Sequence, residues 1–332
     1  METRNLGKSG LRVSVVGLGC NNFGGRIDIE SSKKVIDAAF DAGITHFDTA
    51  DVYGKFDPTG KVVPGATGGS EAVLGQFLGD RRKEIVLATK FAQPMDDSGK
   101  HQGASRRYMM LALEDSLRRL KTDWIDLYYI HQPDRLTPIE ETVRALDDMI
   151  RAGKIRYIAF SNFSAWRATE AVLTARYLGT SNFVACQDEM SLLARQNDEL
   201  LIALETLGVG FVPYYPLASG ALTGKYRKDA PMPEGARLTR GKRYSEKFFS
   251  DKRQDIIEGL IKFSEDRGHT LLELAMSWLA GRPGVGSIIA GATKPEQLAA
   301  NVKATGWKLT PEELAEVDGI TGFSPSAARS AG

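Results

Sequence analysis

Short apolar runs alternate along the chain with longer amphipathic stretches. Val15 to Gly19, His46 to Thr49, Ile85 to Lys90, Ile125 to His131, Ile155 to Ser161, Val184 to Gln187, Val209 to Tyr215 and Ser287 to Ala290 read as strands. Helix-length segments separate them, giving about eight strand-helix units, the number that a closed barrel of parallel strands requires. The expected fold is α/β, a (β/α)8 TIM barrel with an N-terminal β-hairpin and extra C-terminal helices.

The intervening segments carry helix signatures. From Arg106 to Leu120, Met110, Leu113, Leu117 and Leu120 share a face that should pack on the barrel, while Glu114, Asp115, Arg118 and Arg119 lie largely off it. The next helix opens with Thr137-Pro138-Ile139-Glu140, where the hydroxyl can cap, proline suits the first turn and glutamate can complete a capping box. Its expected core positions are Val143, Leu146 and Ile150.

Arg4 to Val13 reads as a hairpin around Gly7-Lys8-Ser9-Gly10, placed to plug the barrel floor. The Gly-, Pro- and Thr-rich run from Gly54 to Gly69 is a loop, and Pro216 to Ser250 is a second, long enough to cover a ligand. No linker divides the chain, so residues 1–322 are expected to form one domain and 323–332 a disordered tail. The rival architecture, a dinucleotide-binding fold, needs G-x-G-x-x-G at the first strand-to-helix turn. Gly17-Leu18-Gly19-Cys20-Asn21-Asn22 has asparagine at the third glycine.

Four polar residues, Asp48, Tyr53, Lys90 and His131, fall at or just past the C-terminal ends of strand-like runs. In a parallel barrel those ends converge on one face, so residues far apart in sequence become neighbours. A carboxylate, a phenol, an ammonium and an imidazole are the parts of a proton-transfer site. Each also has a plainer reading: Asp48 with Lys90 as a buried ion pair, Tyr53 as loop packing, His131 as a core histidine. His46, His101 and His269 show no metal-ligand spacing, so no metal is expected.

Composition narrows the partners. Lys and Arg number 43 against 42 acidic residues in a chain of 332, a net charge of +1, which gives no long-range pull toward nucleic acid or an anionic membrane. The two cysteines, Cys20 and Cys186, form no C-x-x-C, and no apolar run reaches the length of a signal peptide or a membrane span. A cytoplasmic protein acting on small molecules is expected, with its oligomeric state open.

Successive stretches resemble the signatures of the aldo-keto reductase family: Phe47-Asp48-Thr49-Ala50-Asp51-Val52-Tyr53-Gly54, Gly69-Ser70-Glu71, Ala88-Thr89-Lys90, Tyr129-Ile130-His131, Phe160-Ser161-Asn162-Phe163, Pro216-Leu217-Ala218-Ser219-Gly220 and Gly291-Ala292-Thr293-Lys294-Pro295-Glu296-Gln297. The resemblance runs from Leu6 to about Ile320. It implies a barrel that binds NADP(H) without a dinucleotide-binding domain and reduces aldehydes or ketones.

Carried over by position, Tyr53 is the general acid, Lys90 and Asp48 stand behind it, and His131 orients the carbonyl. A phenol, with a reference pKa of about 10, is a poor acid near neutral pH unless its surroundings help. An adjacent ammonium stabilises the phenolate, and an imidazole donor stabilises charge growing on the carbonyl oxygen.

The resemblance likewise assigns cofactor contacts. Gly19, Cys20, Asn21 and Asp48 border the nicotinamide end, where Ser161, Asn162 and Gln187 hydrogen-bond the carboxamide and Tyr215 stacks beneath the ring. Pro216, Leu217, Ala218, Ser219 and Gly220 follow the pyrophosphate, with charge from Lys225. Gly291 and Thr293, with Lys294 at a helix N-terminus, suit a 2'-phosphate, and Gln297 and Asn301 face the adenine. Thr293 to Glu296 is also a sound helix-capping box. Asn22, Phe23, Val52, Phe91 and Gln132 are expected in the substrate pocket wall, and the insertion Lys55 to Gly68 narrows the entrance. Some family members are potassium-channel auxiliary subunits that bind NADP and hardly turn over; those have asparagine at the position of His131, so a sensor role stays open.

Overall fold

The computed structural model describes residues 1–55, 63, 66–195, 198–228, 230–233, 238 and 250–323. Strands β1 (Thr3–Asn5) and β2 (Arg12–Ser14) pair antiparallel, with Arg4 opposite Val13. The barrel strands are β3 (Val16–Gly19), β4 (His46–Asp48), β5 (Val86–Phe91), β6 (Ile125–Ile130), β7 (Ile155–Ser161), β8 (Phe183–Glu189), β9 (Gly210–Tyr214) and β10 (Ile288–Gly291). They pair parallel and close on themselves through β10 and β3, where Gly291 is in register with Gly19. The expected (β/α)8 barrel is the observed one.

Helices α1 (Ile29–Asp41), α2 (Gly69–Phe77), α3 (Arg106–Leu120), α4 (Ile139–Arg151), α5 (Ala165–Leu178) and α6 (Asp198–Leu207) return the chain between successive strands. Leu271–Ala280 and Pro295–Lys303 flank β10, and Pro311–Thr321 packs on Asp251–Glu265, where Ile320 meets Gly259. Pro311–Thr321 is an extra helix after the last barrel unit, and Asp251–Glu265 is an extra helix inserted before β10. Among the described residues no helix is long and apolar enough to cross a membrane.

The hairpin closes the barrel floor as expected. Leu6 is fully buried in an interior layer with Leu127, Tyr129, Ala159, Ala185, Val212 and Ile289. Burying such a side chain contributes about 1.5–3 kcal/mol. Gly7, at φ +56°, lies so close to Gly208 and Gly210 that a Cβ would stand 2.5 Å from the Gly208 carbonyl oxygen, so the turn needs glycine twice over.

Two local expectations fail, each for a physical reason. In α3 Met110 packs against the core as expected, partly buried beside a fully buried Met109, but Arg119 turns inward, because a buried carboxylate, Glu71, waits there. At α4 Thr137 does not cap: its hydroxyl donates to Asp134 Oδ2 at 2.7 Å and the helix starts at Ile139 after Pro138, while Ile150 packs against the core, partly buried, beside a fully buried Met149. Much of the Lys55 to Gly68 insertion, much of Pro216 to Ser250 and the tail after Phe323 fall outside the described residues.

Candidate active site

Strand alternation builds the site. On β5, Ala88 and Lys90 face the interior while Thr89 and Phe91 face the helices; on β4, His46 and Asp48 are the inward pair. Lys90 Nζ donates to Asp48 Oδ2 at 2.6 Å and to the Thr49 carbonyl at 2.8 Å, and its side chain is wholly buried. The other Asp48 oxygen accepts from Gln187 Nε2 at 2.8 Å. Three strand ends are thus tied through one carboxylate.

Tyr53 stands over this pair. The Lys90 ammonium lies 5.1 Å from the centroid of its ring, and the His131 imidazole meets it edge-on with centroids 5.7 Å apart. All four residues singled out in the sequence therefore meet at one mouth of the barrel.

The turn that carries Tyr53 is held from behind. Ser70 N donates to the Tyr53 carbonyl at 3.1 Å, and the Ser70 hydroxyl bridges the Cys20 carbonyl and Thr49 Oγ1, at 2.8 Å each. Next to it Glu71, fully buried, accepts from Thr89 Oγ1 and Arg119 Nε, both at 2.6 Å. Gly54 packs so tightly that an added Cβ would sit 1.8 Å from the Ala66 carbonyl oxygen. Ser70 and Glu71 appeared in the sequence only as a motif and Arg119 as a solvent-facing position. Nothing in helix periodicity marks an arginine that reaches a buried carboxylate on the neighbouring helix.

Burial, and after it the Asp48 charge, pushes the Tyr53 phenol well above its ordinary pKa. The sequence suggested the reverse, with Lys90 pulling it down. The reason is the pair itself: with Asp48 at 2.6 Å the ammonium's field at the phenol is largely offset, and desolvation of the phenolate wins. Burial and then Lys90 push His131 well below its usual value, so the imidazole is neutral. Its Nδ1 is buried with no hydrogen-bond partner, leaving the single ring proton free to sit on Nε2. Its main chain is fixed by His131 N to the Phe91 carbonyl and Asn162 Nδ2 to the His131 carbonyl, each 2.8 Å.

The residues expected around a cofactor ring the same mouth. Ser161 and Gln187 are buried, and Asn162, at φ +61°, donates to Ser161 Oγ and accepts from the Tyr214 hydroxyl at 2.9 Å. Tyr214 was missed. Alternation along β9 would have found it, since Val212 faces the interior and Tyr214, two residues on, shares its face, whereas Tyr215 lies beyond the strand at φ +52°. Gly19 and Cys20 are buried, with Cys20 N on the Asp48 carbonyl at 2.9 Å, and Asn21 lies against Gly291.

After β9, Pro216 and Leu217 lead into three successive residues with positive φ: Ala218 at +46°, Ser219 at +58° and Gly220 at +101°. The run folds into a tight turn, with Ala218 N donating to the Tyr215 carbonyl at 2.9 Å and Gly220 N to the Leu217 carbonyl at 2.8 Å. The Ser219 hydroxyl is buried there with no partner, and partial burial depresses the pKa of the nearby Lys225. Across the mouth, Lys294 precedes helix Pro295–Lys303. The capping box expected from Thr293 to Glu296 does not form: Gln297 Oε1 instead accepts from Thr293 N at 2.9 Å. Asn301 is buried one turn further along.

Of the expected pocket wall, Asn22 is tied to the Ala292 carbonyl at 3.1 Å, Gln132 reaches the Ala92 carbonyl at 3.5 Å, and Phe23 and Val52 are buried. Phe91 is a correction. It stacks on Tyr128, centroids 4.8 Å apart, in the layer between barrel and helices, because it follows the inward Lys90.

Comparison with known proteins agrees with this geometry. The model of the aldo/keto reductase family matches residues 15–321. The chain is 35% identical to a probable voltage-gated potassium channel subunit beta of Oryza sativa subsp. japonica, covering 99% of each protein. It is also 35% identical to a protein of that name from Arabidopsis thaliana, over 98% of both. An L-glyceraldehyde 3-phosphate reductase of Escherichia coli (strain K12) is 33% identical, over 96% of this chain and 92% of that one.

Proposed function

The chain belongs to the aldo/keto reductase family, and from that premise we propose that it is an NADP(H)-dependent oxidoreductase, reducing an aldehyde or ketone to an alcohol or running the reverse. The supporting observation is the wholly buried Lys90–Asp48 pair, with the ring of Tyr53 5.1 Å from the ammonium and His131 against the same ring.

In this reading Tyr53 gives its proton to the substrate oxygen in reduction and takes it back in oxidation. Its raised pKa keeps it protonated through the neutral range, ready as an acid. Lys90, held by Asp48 and Thr49, supplies the positive charge that the phenolate needs as the proton leaves. A neutral His131 offers one N–H to the carbonyl oxygen as negative charge gathers on it. Asp48, Lys90 and His131 are buried and Tyr53 is half-buried, which limits the water that would weaken each interaction.

The chain has the fittings for the cofactor. Ser161, Asn162 and Gln187 are positioned for a carboxamide, and Tyr214, on the inner face of β9, is a better-placed aromatic floor than Tyr215. The positive-φ run at Ala218 to Gly220, with its partnerless Ser219 hydroxyl, suits a pyrophosphate. Lys294 at a helix N-terminus supports NADP over NAD. When bound, NADPH supplies the hydride. A cytoplasmic setting and a small carbonyl or alcohol substrate accompany this reading.

A second reading rests on the plant relatives named as potassium channel subunits: an NADP(H)-binding sensor subunit with little turnover. One assay separates the two. Stoichiometric oxidation of NADPH with 4-nitrobenzaldehyde, with the alcohol identified as product, supports the enzyme; tight NADPH binding without product supports the sensor.

A further inference from the structure

Lys90 has a second aromatic neighbour. Tyr129 is its register partner on β6, and the ammonium lies 5.7 Å from the centroid of the Tyr129 ring as well as 5.1 Å from that of Tyr53. Both Lys90 and Tyr129 are at 0% exposure. An ammonium has three N–H donors, and two are committed, to Asp48 and to the Thr49 carbonyl. The neighbouring interior positions, Ala88, Leu127, Ala159 and Ala185, are small or aliphatic and offer a cation nothing. An aromatic face attracts a desolvated cation through its quadrupole.

We propose that Tyr129 is a positioning residue for the proton donor: its ring holds the Lys90 ammonium, charged, between two aromatic faces and so aims it at Tyr53. This rests on the oxidoreductase reading above. The part that matters is the ring, not the hydroxyl, which is buried with no hydrogen-bond partner. Without the ring the ammonium keeps Asp48 and Thr49 but loses the contact that fixes it from the β6 side. The phenolate that forms in the transition state is then stabilised less well.

The test compares Tyr129→Phe and Tyr129→Leu in the full-length protein, by NADPH-dependent reduction of 4-nitrobenzaldehyde between pH 6 and 10 and by NADPH affinity from fluorescence. Tyr129→Phe should stay within about twofold of wild type. Tyr129→Leu should lose roughly tenfold to thirtyfold in kcat, the size of a buried cation–π contact, with NADPH affinity unchanged. Merely looser packing would weaken NADPH binding along with the fall in kcat, whereas lost positioning lowers kcat alone. If Tyr129→Leu does not fold, Tyr129→Met, apolar and flexible, takes its place. A Leu or Met variant with kcat within twofold, or with NADPH affinity falling in parallel with kcat, overturns the proposal, as does a Phe variant that falls as far. Wild-type protein that reduces no aldehyde would instead overturn the oxidoreductase reading and this inference with it.

Discussion

Lys90 Nζ donates to Asp48 Oδ2 at 2.6 Å with neither side chain more than 3% exposed. Removing one member of such a pair strands the other charge out of water, which costs about 3–5 kcal/mol. Lys90→Met is therefore expected to destabilise the protein by about that amount. The Lys90→Met/Asp48→Leu double variant should recover most of the loss while remaining inactive. Urea unfolding measures both; a single-variant cost below about 1 kcal/mol would show that the pair is not as dry as its geometry requires.

The ionisation states give a pH signature. Tyr53, pushed up by burial and Asp48, holds its proton, and His131, pushed down by burial and Lys90, stays neutral. Aldehyde reduction should then be nearly flat from about pH 6 to 9. Alcohol oxidation, which needs the phenolate, should climb with pH across that range. Steady-state rates in both directions check this, and a reduction rate that falls between pH 7 and 8 speaks against Tyr53 as the acid.

His46 shapes stability rather than catalysis. Burial lowers its pKa to about 4, and neither ring nitrogen has a hydrogen-bond partner. The unfolded chain, at an ordinary value of about 6.5, binds this proton more readily than the folded one, so stability drains away as pH falls from about 6.5 to 4. The shift corresponds to about 3 kcal/mol. His46→Leu should flatten the acid limb of a stability–pH curve; an unchanged slope in denaturant unfolding would mean that another group sets it.

The sequence showed the architecture clearly because strand and helix periods are local. Apolar runs such as Ile155–Ser161 and the helix Arg106–Leu120 appear with the bounds that the pattern suggests. The meeting of Asp48, Tyr53, Lys90 and His131 was legible because the C-terminal ends of barrel strands share one face. What stayed hidden depends on contacts between distant segments. Arg119 looked solvent-facing until Glu71 came beneath it, Thr137 preferred Asp134 to capping its helix, and Gln187 gave its amide to Asp48 across the barrel. Tyr214 was the exception, since counting by twos from Val212 was enough to place it inward.

Lys294 stands at the N-terminus of helix Pro295–Lys303. If it reads a 2'-phosphate, Lys294→Ala should weaken NADPH binding about tenfold and leave NADH binding alone, consistent with one exposed charge and one helix end. Fluorescence titration with the two cofactors decides this. Equal losses for both would assign the lysine a structural role.

The proton on Tyr53 is the centre of the proposed chemistry, and Tyr53→Phe removes it while keeping the ring. Single-turnover reduction of 4-nitrobenzaldehyde, with NADPH affinity measured in parallel, is the most direct measurement. The expected result is unchanged NADPH affinity with the rate down by about 10²–10⁴. A Tyr53→Phe protein that reduces the aldehyde at the wild-type rate would contradict it.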